Sequence, residues 1–360
     1  MILLRVLAFI LGIALLAEAW LSAIKTLVLP RSARDPITGF VFRSMRWLFN
    51  IRLKRASTYH ERDRIMAFYA PFSLLALLPI WLFISSLGFT GMYWALGVDD
   101  LYSALRTSIS SLLTLGFASQ KTLALTLLDF TAATLGLMMI ALLIAYLPSM
   151  YGAFSRREAT VALLEVRAGK PPSAVEMLSR YQRIHGLDKL GEQWQAWETW
   201  FTEVEESHTS LSPLVFFRSP RSDRSWVTAA GTVLDAAALT RSSVDIPADP
   251  RADLCIRAGY LCLRHIADFF NVSYNHDPLF PDQPISVSRE EFDSALNQLE
   301  AQGVPVIADR EQAWKDYAGW RVNYDQVLVA MADLTMAPES LWTGDRSLSK
   351  TIPLTPPPGD

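Results

Sequence analysis

Cysteine is nearly absent from these 360 residues: only two occur, Cys255 and Cys262. Seven positions apart on one expected helix face, they can neither staple a fold nor complete a zinc site. Their expected state is as small buried side chains in a reducing compartment. Charge is scarce as well, at 19 % of residues against 51 % hydrophobic, an apolar balance for a soluble chain of this length. The sequence also lacks a phosphate-binding loop, a nucleophile elbow and a carboxylate pair in a supporting context, so nothing in it points to an enzyme. The histidines are scattered. His265 and Asp268 have a spacing that metals use, but no further ligand joins them, and a helix-surface pair is expected rather than a metal site. No alternating apolar pattern of useful length occurs, so no sheet is expected.

What charge there is lies segregated. Residues 1–64 carry 11 Lys/Arg against 4 Asp/Glu, residues 65–148 carry 2 against 3, and residues 149–360 carry 20 against 29. This order suggests a basic membrane-proximal part, a membrane core and an acidic soluble part. The acidic part has no basic stripe, which argues against nucleic acid as a partner.

Residues 1–29 are apolar apart from Arg5, Glu18 and Lys25. One reading is a signal peptide with a cleavage-like Ala17-Glu18-Ala19; the other is a first transmembrane helix. The loop that follows, residues 30–64, holds nine basic residues against three acidic ones. The positive-inside rule puts that loop in the cytoplasm and favours the membrane helix, with its start outside. Within the loop, Trp47, Leu48, Phe49 and Ile51 lie among the arginines, as in an amphipathic helix on the anionic inner leaflet. Glu18 should face the bundle or a polar neighbour, with Ser22 and Lys25 as local company.

No charged residue occurs from Ile65 to Val98, which makes a second membrane helix containing Pro71 and Pro79, expected to be kinked. Tyr93 and Trp94 suit its outer interface. A third segment, from about Thr122 to Met150, has Asp129 in its first third and Arg156 and Arg157 beyond its end. Both ends of the 65–150 unit are then cytoplasmic, and the stretch between the two helices lies outside.

That stretch, residues 99–120, reads DDLYSALRTSISSLLTLGFASQ. Asp99 or Asp100 can cap a helix over Leu101 to Leu112, whose length of roughly 18 Å is about half a bilayer. Its negative C-terminal end would face the membrane centre and favour a cation. A short segment with glycine can then return outward with its carbonyls turned to an axis, as dehydration of a cation requires. One such loop supplies a quarter of a ring, so a pore built this way is a tetramer.

The run ALRTSISSLLTLGFA, Ala104 to Ala118, is similar to the pore helix and selectivity filter of tetrameric potassium channels. Against the filter pattern Thr-Val/Ile-Gly-Tyr/Phe-Gly, the resemblance puts Thr114 on the threonine, Leu115 on the aliphatic position, Gly116 on the first glycine and Phe117 on the aromatic. Ala118 stands where the second glycine belongs and Ser119 where an aspartate usually follows. Leu113 replaces a threonine, and Arg106 sits where the pore helix commonly has an aromatic. If position 118 needs a positive φ, alanine is strained there by about 1 kcal/mol. Gly136 lies near the position of the family's inner-helix hinge. Asp129 either faces the permeation path and attracts cations or pairs near the outer mouth. A second resemblance, to bacterial predicted ion-channel-like membrane proteins, rests on YLPSMYGAFSRREA at Tyr146–Ala159 and on Arg167-Ala168-Gly169.

These resemblances imply an all-α membrane protein with three transmembrane helices, a re-entrant pore loop and an all-helical cytoplasmic C-terminal domain. The implied domains are a first helix (1–29), a basic cytoplasmic linker (30–64), a pore module (65–150) with its loop at 99–120, a helical domain (151–345) and a disordered proline-rich tail (346–360). The implied function is a cation channel, with potassium among the candidate ions, in the cell inner membrane as a homotetramer. Its partners are membrane lipid and permeant cations, without a cofactor or bound metal. The alternative is a non-conducting channel-like anchor or sensor whose cytoplasmic domain binds a partner.

In the soluble half, Ser173 with Glu176 and Ser288 with Glu291 have capping-box spacing. Helices are expected over about 188–206, carrying Trp194, Trp197 and Trp200 as core packing, over 251–270 and over 309–334.

Overall fold

The computed structural model describes residues 2–29, 35–119 and 121–345; the expected tail at 346–360 lies outside them. Among the described residues the chain is all-helical, with an isolated bridge between Val244 and Val306 in place of any strand. It divides into two compact units. The first runs to Gly152 and includes Ser210–Phe217; the second comprises Ala153–Thr209 and the chain from Arg218 onward.

The first unit is built on α1 (Ile2–Leu27), α4 (Tyr69–Ala95) and the start of α6 (Leu123–Ala168). All three helices are long and apolar enough to cross a membrane. The first two pack closely and antiparallel. A Cβ on Gly12 would lie 2.5 Å from the Gly88 carbonyl oxygen, and one on Gly88 would lie 2.7 Å from that of Gly12. Such close contact between backbones needs residues without side chains. Lower on the same seam, the Trp81 indole donates to Ser22 at 2.8 Å, and Ser22 donates to Asp35 at 2.6 Å. Ser22 therefore serves Trp81 and Asp35, while Glu18, one turn earlier on α1, is exposed. In α4, Pro71 lies in the first turn, where its missing N–H costs no bond, and Pro79 lies in the interior of an unbroken helix.

Two shorter helices complete the inner part of this unit. Asp35 caps α2 (Pro36–Leu53) by accepting from the Thr38 amide at 2.7 Å, and Pro36 supplies its first residue. Thr58 and Glu61 form a reciprocal capping box on α3 (Tyr59–Met66). The Tyr69 ring takes edge contacts from Phe42 and Phe49 of α2 and from Phe216. Phe216 ends the short 3-10 turn Ser212–Phe216, which follows α8 (Leu190–Ser210) in sequence yet belongs to the first unit.

In the second unit, α9 (Trp226–Ser243) is buried on almost every face and packs against α7 (Ala174–Arg183), α10 (Pro250–Phe269), α12 (Arg310–Arg321) and α13 (Asp325–Thr335). Sequence periodicity does not reveal α9, because a helix covered all round has no polar face to set the period. The expected helix over 309–334 is two helices, divided at Val322–Tyr324. Ser288 and Glu291 do form a capping box at the start of α11 (Arg289–Ala301). Ser173 makes no side-chain cap, since Glu176 is drawn to Arg180 at 2.6 Å and Arg183 at 2.8 Å. Trp194, Trp197 and Trp200 are buried, as are Cys255 and Cys262. His265 pairs with Glu205 at 2.7 Å, and Asp268 accepts from the Tyr274 hydroxyl at 2.9 Å.

One buried network in this unit has no counterpart in the sequence reading. The Arg321 guanidinium donates to Asp325 at 2.7 Å, to Asp235 and to the Trp342 carbonyl, while Tyr324 donates to Asp235 at 2.8 Å. The two carboxylates hold Arg321 in its charged form despite complete burial.

Candidate functional site

The site lies in the first unit, where α5 (Leu101–Leu112) packs against α4. Asp100 caps α5 and accepts from the Ser103 amide at 2.8 Å; that bond and the Ser103 hydroxyl hold its carboxyl below the usual range. The small hydroxyl residues of this helix are its buried side. Ser108 donates to the Ser86 carbonyl of α4 at 2.8 Å, and Thr107, Ser110 and Ser111 are buried with it. Serine suits such a seam, because it lets backbones approach while its hydroxyl finds a partner on the neighbouring helix.

The end of α5 is a Schellman turn. The Leu115 amide donates to the Ser110 carbonyl at 2.7 Å, and the Thr114 amide donates to that of Ser111 at 3.0 Å. The residue at the left-handed position of this turn is Thr114, with φ of 53°, where glycine is usual. Gly116 follows at φ of 74°. Ala118 is not among the residues with positive φ, so alanine in place of a second glycine carries no backbone strain here. Its peptide is instead held on both sides by Ser110, whose hydroxyl accepts from the Ala118 amide at 3.0 Å and donates to its carbonyl at 3.1 Å.

Arg106 places its guanidinium 5.3 Å from the centre of the Phe117 ring. The arginine that stands in place of an aromatic on α5 thus sets a cation over the aromatic ring of the segment that follows the helix. Thr114 to Phe117 are exposed, and the large apolar side chains among them, Leu115 and Phe117, are half uncovered in a single chain.

Asp129 joins three helices. It accepts from Tyr93 of α4 at 2.5 Å and from Ser111 of α5 at 2.6 Å, both on the same carboxylate oxygen. Tyr93 is fully buried and points inward to this carboxylate, where the sequence suggested an aromatic at the outer interface. Gly136, two turns further along α6, passes the end of α5 so closely that a Cβ would lie 1.9 Å from the Leu112 carbonyl oxygen. The helix is continuous through Gly136, and the close approach by itself requires glycine there. Phe89, Met92, Tyr93, Val98, Ala104, Leu112, Leu125, Leu128 and Ala132 form one buried apolar cluster around this junction.

The structure therefore brings Thr114, Leu115, Gly116 and Phe117, all exposed, and the half-buried Ala118 into one segment after α5, fastened by Ser110, with Asp129 and Gly136 nearby on α6. Sequence reasoning missed Ser110, Ser111 and Tyr93 as its supports. The serine-rich composition of 103–111 was the available signal. Among the described residues no group of three His, Cys, Asp or Glu side chains is arranged to hold a metal ion. No known protein family, curated protein or solved structure matches this chain.

Proposed function

We propose that the chain is one subunit of a tetrameric cation channel in the cell inner membrane. The observation that carries this reading is the junction of a 12-residue helix with an exposed, glycine-containing return segment, set between two helices of membrane length. A helix of about 18 Å reaches only part-way across a bilayer, so its end and the return segment stand at depth. Polar backbone at that depth is tolerated where it lines water or is covered by protein. Thr114 to Ala118 would supply the oxygens that replace a cation's hydration, and Asp129 would fix the end of the short helix from behind. Four copies around an axis would cover Leu115 and Phe117.

In this reading α1 and α4 form the outer layer, α6 lines the inner cavity, and the second unit is cytoplasmic and assembles or gates the pore. The permeant ion is a monovalent cation. With Ala118 and Ser119 in the return segment, broad cation conduction is favoured over strict potassium selectivity.

Purified full-length protein in liposomes tests the reading by potassium flux, then by sodium flux. Flux that Gly116→Asp abolishes supports a pore at this segment. Absent flux, or flux that Gly116→Asp leaves unchanged, overturns it and leaves the anchor or sensor reading. A mass in detergent corresponding to a monomer or dimer excludes a four-fold pore.

A further inference from the structure

The strongest unassigned surface in the first unit is the outer face of α2. Between Asp35 and Glu61 the chain has five cations, Arg43, Arg46, Arg52, Lys54 and Arg55, and no acidic residue. One face of the helix is occupied: Val41 is buried, Phe42 and Phe49 meet Tyr69, and the Arg46 guanidinium lies 5.5 Å from the Tyr69 ring. The opposite face is open. Phe40 and Trp47 are each 64 % exposed and Ile51 is 46 % exposed. Positions 40, 47 and 51 recur at helical spacing, so these side chains form one apolar stripe. Arg43, Arg52, Lys54 and Arg55 are exposed around it, and among the described residues no carboxylate pairs with any of them.

The position of α2 says what can cover that face. Its start is bonded to the last turns of α1, through Ser22 to Asp35 at 2.6 Å and Thr26 to Thr38 at 2.8 Å. Its middle is bonded to the first turn of α4, where the Tyr69 hydroxyl donates to the Phe42 carbonyl at 3.2 Å. The helix therefore lies at the level where two membrane-length helices end. Aromatic and aliphatic side chains flanked by unpaired cations match the acyl boundary below a layer of phosphates.

We propose that α2 is a recognition surface for anionic phospholipid. Phe40, Trp47 and Ile51 enter the acyl boundary, and Arg43, Arg52, Lys54 and Arg55 bind headgroup phosphates. The inference rests on the membrane location proposed above and is independent of conduction.

Full-length protein taken from bilayers of equal phosphatidylcholine and phosphatidylglycerol, and analysed by native mass spectrometry, tests it without any measurement of flux. Wild type is expected to retain phosphatidylglycerol over phosphatidylcholine by roughly five-fold or more, since one cation near an anionic surface contributes about that factor. The preference should weaken as salt rises. The combined variant Arg43→Gln, Arg52→Gln, Lys54→Gln, Arg55→Gln should lose the preference. Exchanging the same positions as Arg→Lys and Lys→Arg should preserve it, which separates charge from helix stability. Equal retention of both lipids by wild type overturns the proposal, as does a preference that survives the glutamine variant. Efficient disulfide cross-linking of Trp47→Cys between copies also overturns it, because the face would then belong to a second chain.

Discussion

Ser111 of α5 and Tyr93 of α4 donate to the same oxygen of Asp129 on α6, at 2.6 and 2.5 Å. One carboxylate thus ties the last turn of the short helix to both of its long neighbours. Hydrogen bonds to a charged acceptor contribute about 1.5–3 kcal/mol each, and a donor left buried without a partner adds its own penalty. Asp129→Ala strands two buried hydroxyls and should lower the thermal unfolding midpoint in detergent more than Asp129→Asn does. A double-mutant cycle between Ser111→Ala and Asp129→Asn should show coupling of at least about 0.5 kcal/mol. Additive effects would show that the carboxylate does not hold α5.

Thr114 occupies a left-handed position that disfavours a β-branched side chain by about 1 kcal/mol or more. Thr114→Gly removes that strain, partly offset by the greater freedom of glycine in the unfolded chain. The expected outcome is a midpoint equal to or above wild type, together with altered potassium and sodium flux from loss of the side-chain oxygen. A clear fall in midpoint would show that Thr114 is held in place by contacts that outweigh its strain.

At Gly136 the argument is steric. Adding a single methyl group sets it 1.9 Å from the Leu112 carbonyl oxygen, a backbone atom that cannot rotate aside. Gly136→Ala must therefore separate α6 from the end of α5, with a cost in the range of about 1–3 kcal/mol typical of overpacking. The midpoint should fall although alanine is the better helix former, by about 1 kcal/mol in an unconstrained helix. A midpoint that rises would mean that α5 does not sit against this position.

Thr114 and Asp129 also show what was legible in the chain. The membrane-length helices follow from long apolar runs with few or no charges, and the start of α5 follows from Asp100, because spans and caps are local properties. The left-handed turn at Thr114 is not legible, since threonine carries no preference for it; the surrounding bonds impose it. Asp129 can be picked out as a carboxylate in an apolar run, yet its partner Tyr93 is 36 positions away and reads as an interface aromatic. Arg321 and Asp235, 86 positions apart, pose the same problem in the second unit. α9 escapes notice because its residues are small or apolar on every face, and the period that marks a half-buried helix is missing.

His208 gives the second unit a defined response to acid. It is buried on α8, with its Nε2 3.0 Å from Nη1 of Arg157 and the Trp226 ring beside it. A guanidinium can only donate, so Nε2 must accept and the imidazole is neutral. Its Nδ1–H then faces the Ser207 hydroxyl at 3.1 Å, which in turn donates to the Glu203 carbonyl at 2.6 Å. Burial first, and the charge on Arg157 second, push the His208 pKa well below the ordinary value of 6.5. The unfolded chain therefore binds a proton near pH 6.5 that the folded chain refuses, so stability present above that pH declines as pH falls through it. The thermal midpoint of the full chain should drop from pH 7 toward about pH 5.5, a window above the ordinary carboxylate range. His208→Gln, whose amide oxygen can still accept from Arg157, should remove that part of the slope while remaining folded. An unchanged slope in the glutamine variant would assign the acid response to other groups.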